Sequence, residues 1–319
     1  MRPLTFLAAT AIATLLLPVG RLSAQVPAVP QPAKEIPPFE VVSDAKAGTW
    51  YGRFGRTNCA WVDMGDSVLL VDTGGSDADA KNLAAQVSKT TGGKPVRWIV
   101  LTHLHADSNA GIRTFLPSEP TVIVNARVAG VVGSSLTRDP KEKGIAVLGV
   151  SDRVALGTGS RVVEVVSLPG PAHTDHDLFV HVAGTGIVFV GDLVTPQRCP
   201  MLSDPSFDPD GWLKALARIE ALQPALLVPT RGNATPIPQN EIAATRSYIE
   251  RVKSLVAEAR RKGWAEARLS SELMLKKLGD YCPQQLDSVN ALALFKRTGL
   301  DGKLKPAAPP AAAPARKKK

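Results

Sequence analysis

The sequence predicts an α/β domain built on mixed β-sheets, and three observations support this fold class. Short runs rich in β-branched residues alternate with segments of helical periodicity, as in layered α/β proteins. Several strand-like runs follow one another without an intervening helix, which favours mixed sheets over a purely parallel one. Hydrophobic residues make up 44% of the 319 residues, so the chain can bury a large core and wholesale disorder is excluded.

Seven apolar runs of strand length support the predicted sheets. They are Ser67–Asp72, Arg97–Leu101, Pro120–Val124, Arg161–Ser167, Asp177–Val182, Gly186–Val190 and Ala225–Val228.

Helical patterns separate these strands or follow them. One helix is predicted after Ser76, and a second begins at Asp208-Pro209, because Asp caps helix N-termini and Pro suits the first turn. A long amphipathic helix is predicted over Glu241–Lys262, and a further helical region runs to about Arg297.

The N-terminus has the pattern of a secretory signal. Arg2 precedes the apolar run Leu4–Val19, and small residues offer a cleavage site after Ala24. This run is short for a membrane span and no other run is long enough, so no stable span is expected. We therefore predict that residues 1–24 are a signal peptide and that the protein is periplasmic or secreted. An uncleaved anchor is the alternative.

Residues 25–39, with five prolines, are predicted to be a linker.

The net charge of +9 originates almost entirely at the two ends of the chain. Two arginines in the leader and six basic residues after position 302 leave +1 for residues 25–302. No nucleic-acid partner is predicted, because the body is nearly neutral and contains no base-reading motif. Residues 303–319, rich in Pro, Ala and Lys, are predicted to be a disordered tail, which leaves one domain over residues 40–302.

The three cysteines exclude a disulfide-stapled mini-fold and a multi-cysteine zinc ribbon. After export at most one disulfide can form among Cys59, Cys199 and Cys282, which leaves one thiol. Cys59 lies in a strand-like run and is expected in the core. Cys199 follows in the loop after the run Gly186–Val190, where it either lines a substrate pocket or has no chemical role.

The strongest chemical signal directly follows the predicted strand Arg97–Leu101. One residue separates His103 from His105, a spacing that lets two imidazoles converge on one cation from an extended turn. Asp107 is expected on the same side of that turn. Taken alone, this spacing leaves metal ligands and ordinary loop histidines equally open.

Five short motifs occur in a fixed order, each at the end of an apolar strand. They are Val71-Asp72-Thr73-Gly74-Gly75, His103-x-His105-x-Asp107, Pro171-Ala172-His173-Thr174-Asp175, Gly191-Asp192 and Val228-Pro229-Thr230-Arg231-Gly232. In this order they resemble the metallo-β-lactamase superfamily, over nearly the whole predicted domain. The resemblance implies an αββα sandwich of two mixed sheets flanked by helices, with a zinc site at one edge between the sheets.

The resemblance also implies a role for each motif residue. Three histidines match the ligands of the family's first zinc ion: His103, His105 and His173. Asp107 and Asp192 would belong to a second metal site, with Asp192 as the bridging carboxylate. Asp72 would organise the metal-bearing loops through hydrogen bonds. Zinc-bound hydroxide would then attack the substrate, and Asp107 would orient the water and take its proton.

Two positions depart from the family pattern. Ser108 stands where many members have a His after the motif aspartate, and Arg231 stands where nearly all have the last His. With five histidines in total, the chain cannot assemble the full dinuclear set.

Three interpretations of these missing histidine ligands remain open. In the first, the enzyme is mononuclear and Arg231 pairs with Asp107 or Asp192, because two buried carboxylates without a cation would repel each other. In the second, His176 turns inward and completes a second metal site with both carboxylates. In the third, the protein keeps the fold as a binding or scaffold protein and has lost catalysis.

The sequence as a whole predicts an exported zinc-dependent metallo-hydrolase. The substrate would be a small molecule with an ester, thioester, amide or lactam bond. The cofactor would be one Zn²⁺, or two under the second interpretation. The region from Asp192 to the C-terminal helices looks most like periplasmic members of the quinoprotein-relay type or general metallo-hydrolases.

Overall fold

A computed structural model of the chain describes residues 41–44, 48–136, 145–159, 161–273 and 277–305, with the backbone alone for residues 41–44. The predicted signal peptide, the predicted linker and residues 306–319 of the predicted tail lie outside the described residues.

Within the described residues, the first sheet contains seven strands that lie side by side in chain order. They are β1 (Val41–Asp44), β2 (Thr49–Phe54), β3 (Thr57–Asp63), β4 (Val68–Val71), β5 (Val96–Val100), β6 (Thr121–Asn125) and β7 (Val147–Val150). Strands β1 to β4 pair antiparallel, and β4 to β7 pair parallel.

The second sheet contains five strands in the order β12-β11-β10-β9-β8. They are β8 (Arg153–Leu156), β9 (Val163–Ser167), β10 (Leu178–Val182), β11 (Ile187–Gly191) and β12 (Leu226–Pro229). Only the β11–β12 pair is parallel. Both sheets are therefore mixed, and this part of the predicted fold class is confirmed.

The α-helices of the described residues are α1 (Asp77–Thr91), α2 (Ala106–Asn109), α3 (Ala129–Leu136), α4 (Pro209–Ala221), α5 (Pro238–Arg261), α6 (Glu266–Leu273) and α7 (Gln284–Arg297). The predicted helix starts at Ser76 and Asp208 are confirmed, since each side chain accepts a hydrogen bond from a first-turn amide. Helix α5 begins three residues before the predicted Glu241, because Pro238 occupies its first turn.

Alternating side chains of each strand build the layers of the fold. In β4, Leu69 and Val71 point between the two sheets, whereas Val68 and Leu70 pack in the cluster that includes Leu83 of α1. The second sheet repeats this arrangement, with one face between the sheets and the other against α4, α5 and α7. The layers are helix, sheet, sheet and helix, which confirms the αββα sandwich.

The cysteines follow the expected stoichiometry of one disulfide and one thiol. Cys199 and Cys282 are bonded to each other, and Cys59 is buried in the core as a free thiol. Cys199 thus has a structural role, because the bond joins the loop after β11 to the segment before α7.

Within the described residues, no helix combines the length and the apolar character that a membrane crossing needs.

Candidate metal centre

The candidate site lies where loops of both sheets meet. His103 and His105 follow β5, His173 lies between β9 and β10, and Asp192 directly follows β11. Gly191, with φ of +59°, permits a close approach of two of these loops, because a Cβ atom there would lie 3.0 Å from Cβ of Thr102.

Four side chains direct one potential ligand atom each toward a common point. Nε2 of His103 and Nε2 of His173 each lie 3.5 Å from Oδ2 of Asp192. Nδ1 of His105 lies 3.3 Å from Nε2 of His173. These ligand atoms are all within 4.8 Å of one another, so the structure brings together the three predicted histidines and Asp192.

The donor set fits a zinc ion in spacing and chemistry. Ligand atoms about 2.0–2.1 Å from a tetrahedral zinc lie about 3.3–3.4 Å from one another, close to the three separations of 3.3, 3.5 and 3.5 Å given above. Nε2 of His103 and both carboxylate oxygens of Asp192 are buried and have no hydrogen-bond partner among the described residues. Because buried polar atoms are costly when unpaired, a cation would supply the missing partner.

A hydrogen-bond chain from Asp72 orients His103. The Thr102 hydroxyl donates to Oδ2 of Asp72 at 2.8 Å and lies 3.0 Å from Nδ1 of His103, which is then the donor to Thr102. This tautomer leaves Nε2 of His103 free for a metal. Asp72 also accepts bonds from the Thr102 amide and the Thr230 hydroxyl. Burial raises the pKa of Asp72 to about 7 despite these bonds.

His105 is oriented by a carboxylate that the sequence analysis did not identify. Nε2 of His105 lies 2.9 Å from Oδ2 of Asp204, whose other oxygen accepts bonds from the Ser206 amide and hydroxyl. The hydrogen bond with Asp204 raises the pKa of His105, and burial only partly opposes it. Burial acts to raise the pKa of Asp204, but the bonds from His105 and Ser206 hold it below its usual range.

The other two histidines are buried and neutral. Burial lowers the pKa of His173 to about 4 and holds the pKa of His103 well below its usual range. The His173 ring packs edge-on against Trp212, with 5.2 Å between ring centroids. Both imidazoles are therefore unprotonated at neutral pH, which is the form that binds metals.

Arg231 spans the two predicted carboxylates of the second metal site. Its Nη2 donates to Asp107, and its Nη1 lies 2.7 Å from Oδ2 of Asp192, although the N–H is not aligned for a hydrogen bond. The sequence left open which carboxylate Arg231 would pair with, and the structure pairs it with both. Asp107 faces this guanidinium and is not among the four converging side chains.

A model of the metallo-beta-lactamase superfamily matches residues 52–231, which is more than half of the chain. This protein belongs to the metallo-β-lactamase superfamily.

Solved metallo-β-lactamases share its fold. An enzyme from Pontibacter korlensis is 20% identical, with a TM-score of 0.55 over 66% of this chain and 99% of that one. DIM-1 is 22% identical, with a TM-score of 0.54 over 68% and 99% of the two chains. FIM-1 from Pseudomonas aeruginosa, described in a mono-zinc form, is 21% identical, with a TM-score of 0.54 over 67% and 95%. Among curated proteins, none matches the sequence.

The two departures from the metallo-β-lactamase pattern have structural explanations. Ser108 is fully buried, its hydroxyl donates to the His105 carbonyl, and its own carbonyl accepts from the amides of Thr73 and Gly74. A small residue at 108 therefore joins two motif loops, where a histidine would need more room. At the other departure, Arg231 occupies the space between the carboxylates.

His176 has protein partners at both ring nitrogens. Its Nε2 accepts a hydrogen bond from the Leu104 amide at 3.1 Å, and its Nδ1 lies 2.5 Å from Asp175. The structure does not bring His176 into the cluster of converging ligand atoms. This geometry gives no support to a second metal held by His176.

Asp204 is the main site residue missing from the sequence analysis. It lies 99 positions after His105, with several strands and helices between the two residues, so no sequence spacing relates them. The Asp204-Pro205-Ser206 turn was its only local signal, and such turns occur in many loops.

Proposed function

We propose that this protein is an exported, mononuclear zinc hydrolase. One observation carries the proposal: four ligand atoms converge at zinc spacing, while an arginine fills the space between the carboxylates that a second metal would need. The first interpretation of the sequence is thus favoured over the other two.

The proposed ligands are His103, His105, His173 and Asp192. Three neutral imidazoles favour zinc over harder cations such as magnesium or calcium. FIM-1, a structural relative, is described in a mono-zinc form, which supports a single ion in this fold.

Asp192 would link the zinc to Arg231. Its Oδ2 lies near both histidine Nε2 atoms and near Nη1 of Arg231. In this arrangement Arg231 supplies the fixed positive charge that would otherwise come from a second metal. Among the described residues Nη2 donates to Asp107, whereas Nη1 makes an ion pair with Asp192 without an aligned hydrogen bond, so Arg231 also retains donors for a negative charge that develops on the substrate.

Asp107 is the proposed proton acceptor. A bound zinc would supply Lewis acidity and lower the pKa of water toward neutrality. Asp107 lies at the rim with its side chain 46% exposed, and its bond to Arg231 fixes its position. It is therefore held where it can orient a water molecule and take its proton. The proposed substrates have an ester, thioester, amide or lactam bond.

Export is supported by two features of the chain. The sequence of residues 1–24 has the pattern of a signal peptide. The Cys199–Cys282 disulfide is typical of proteins in oxidising compartments such as the periplasm.

Metal analysis and a substrate panel test this proposal together. The purified protein is expected to bind one zinc ion per chain and to hydrolyse an ester, thioester or lactam substrate in the panel. Failure to bind zinc would instead favour a scaffold protein. Binding of two ions, with one lost in His176→Ala, would favour the dinuclear alternative. His181→Ala is the matched control, because His181 pairs with Glu164 on β9 outside the cluster.

A further inference from the structure

We propose that Asn290 of helix α7 is a positioning residue for His105, and that it acts through Asp204. The inference rests on the proposed function, because the orientation of His105 has its purpose in metal binding. The connection runs through residues 199–208, a segment that we call the bridging segment.

Asn290 holds the beginning of the bridging segment from the side of α7. Its side chain is fully buried, its Oδ1 accepts a bond from the Leu202 amide at 2.9 Å, and its Nδ2 donates to the Pro200 carbonyl at 2.7 Å. One side chain therefore satisfies two backbone groups of this segment. The Cys199–Cys282 disulfide holds the same end.

Helix α7 also contacts the far end of the bridging segment. The Arg297 guanidinium donates to the Phe207 carbonyl. The segment is thus attached to the C-terminal helices at both of its ends.

The opposite side of the bridging segment contacts both histidine loops. Asp204 faces Nε2 of His105 at 2.9 Å, and the Ser206 hydroxyl accepts a bond from the Asp175 amide at 3.0 Å. The Asp208 amide donates to the Ala172 carbonyl at 2.9 Å. Displacement of this segment would therefore change the hydrogen bonds that hold the loops of His105 and His173.

The effect of Asn290 on His105 follows from hydrogen-bond chemistry. When Nε2–H of His105 donates to Asp204, the imidazole is held in one tautomer with Nδ1 free to bind a metal. Loss of the Asn290 side chain would leave the Leu202 amide and the Pro200 carbonyl without that partner. Because unpaired buried groups are costly, the segment would shift to find new partners, and Asp204 lies only two residues beyond Leu202.

A double-mutant cycle on zinc affinity tests this route. Hydrogen-bond partners of metal ligands affect affinity by roughly 10–100-fold, so Asn290→Leu is expected to weaken zinc binding about tenfold and Asp204→Asn at least as much. If Asn290 acts through Asp204, adding Asn290→Leu to Asp204→Asn should cost no more than about a further twofold, because residues in one network are not additive. Additive losses would overturn the proposal.

Tyr248→Phe is the matched control for burial and local stability. The Tyr248 hydroxyl belongs to the same buried network, between Asn290 and Asp287, but the variant leaves the bonds to Pro200 and Leu202 intact. It is expected to keep zinc affinity within about twofold, by the same reasoning. An equal loss in Tyr248→Phe would mean that Asn290 has only a general structural role.

A measurement on the metal-free protein separates this inference from the proposed function. At a pH where the His105 ring is neutral, nitrogen NMR of the imidazoles should show His105 protonated at Nε2 in the wild type and a mixture of tautomers in Asn290→Leu. If Asn290→Leu does not fold, Asn290→Asp replaces it, since it keeps the acceptor for Leu202 and loses the donor to Pro200. An unchanged His105 tautomer in the variant overturns the inference. Absence of zinc binding by the wild type overturns the proposed function alone.

Discussion

The two halves of the candidate site differ in whether the chain itself supplies a positive charge next to the potential ligand atoms. In the histidine half, formed by His103, His105 and His173, three imidazoles direct nitrogen atoms toward one point beside Asp192, and Nε2 of His103 has no hydrogen-bond partner among the described residues. In the carboxylate half, formed by Asp107, Asp192 and Arg231, the positive charge belongs to the chain itself. Under the proposed function, the histidine half would need a bound cation, whereas the carboxylate half would not.

Asp192 contacts both halves, so a change of the cation in one half also affects the other half. One carboxylate oxygen lies 3.5 Å from two histidine nitrogens and 2.7 Å from Arg231. A guanidinium cannot be removed by a chelator and offers no open coordination position. In the proposed mononuclear enzyme, Arg231 would therefore supply a fixed positive charge where a second metal ion would otherwise lie, and only one exchangeable ion would remain.

The largest effect is expected from loss of a histidine ligand. His103→Ala should reduce zinc affinity by more than the roughly 10–100-fold caused by loss of a hydrogen-bond partner of a ligand, and hydrolysis should fall with it. Equilibrium dialysis against a zinc chelator measures the affinity. His181→Ala should bind zinc as the wild type does; equal losses in the two variants would contradict the assignment of the histidine half.

Replacement of Arg231 should convert the carboxylate half into a metal-dependent one. Arg231→His is expected to raise the stoichiometry from one zinc toward two, because it supplies an imidazole beside Asp107 and Asp192. Elemental analysis at saturating zinc provides the readout. Arg231→Lys, which keeps the charge but not the two-pronged geometry, should remain at one zinc. If Arg231→His still binds one zinc per chain, Arg231 does not occupy the position of a second metal ion between Asp107 and Asp192.

Arg231→Met should destabilise the metal-free protein. It leaves Asp192, whose side chain is 1% exposed, without its cation. Breaking a buried pair costs about 3–5 kcal/mol, and the partial exposure of Arg231 reduces this to about 2–3 kcal/mol of unfolding free energy. Urea unfolding of the chelated protein measures the loss, and saturating zinc should restore part of it. A stability equal to that of the wild type would show that Asp192 does not need the arginine.

Asp107 should separate catalysis from metal binding. Asp107→Asn removes the proposed proton acceptor, so kcat should fall by about 100-fold or more, while the stoichiometry stays at one zinc. Stability should change by less than about 1 kcal/mol, because the Asp107 side chain is 46% exposed. Loss of zinc in this variant would place Asp107 among the ligands, and the metal would then be held by both halves.

The comparison also explains which features could be predicted from the sequence. His103, His105 and His173 lie in short motifs beside strands. Their spacing alone did not decide their role, but the order of the motifs resembles the family pattern, and that resemblance implied the ligand set. Arg231 could be assigned to the carboxylates because it replaces a motif histidine. Asp204 and Asn290 could not be found in this way. Their roles depend on the path of the bridging segment, which is set by the disulfide and by packing against α7.

The smallest effect is expected where the two halves are joined through Asp72. The Thr230 hydroxyl, next to Arg231, donates to Asp72 at 2.9 Å, and Asp72 in turn holds Thr102 beside His103. Thr230→Val removes one bond while Asp72 keeps both bonds from Thr102. The unfolding free energy should therefore fall by about 1 kcal/mol, and zinc affinity should change by less than about tenfold, below the loss of a direct partner of a ligand.

A matched variant distinguishes this link from general loop stability. Thr235→Val removes a buried hydroxyl from the same loop. Among the described residues this hydroxyl accepts from the Ile237 amide and has no bond to the Asp72 network, so zinc affinity should not change. A loss of zinc in Thr230→Val as large as in His103→Ala would contradict the separation of the two halves. The histidine half would then depend on the arginine loop for its geometry, because Asp72 could not hold Thr102 and His103 in place without Thr230.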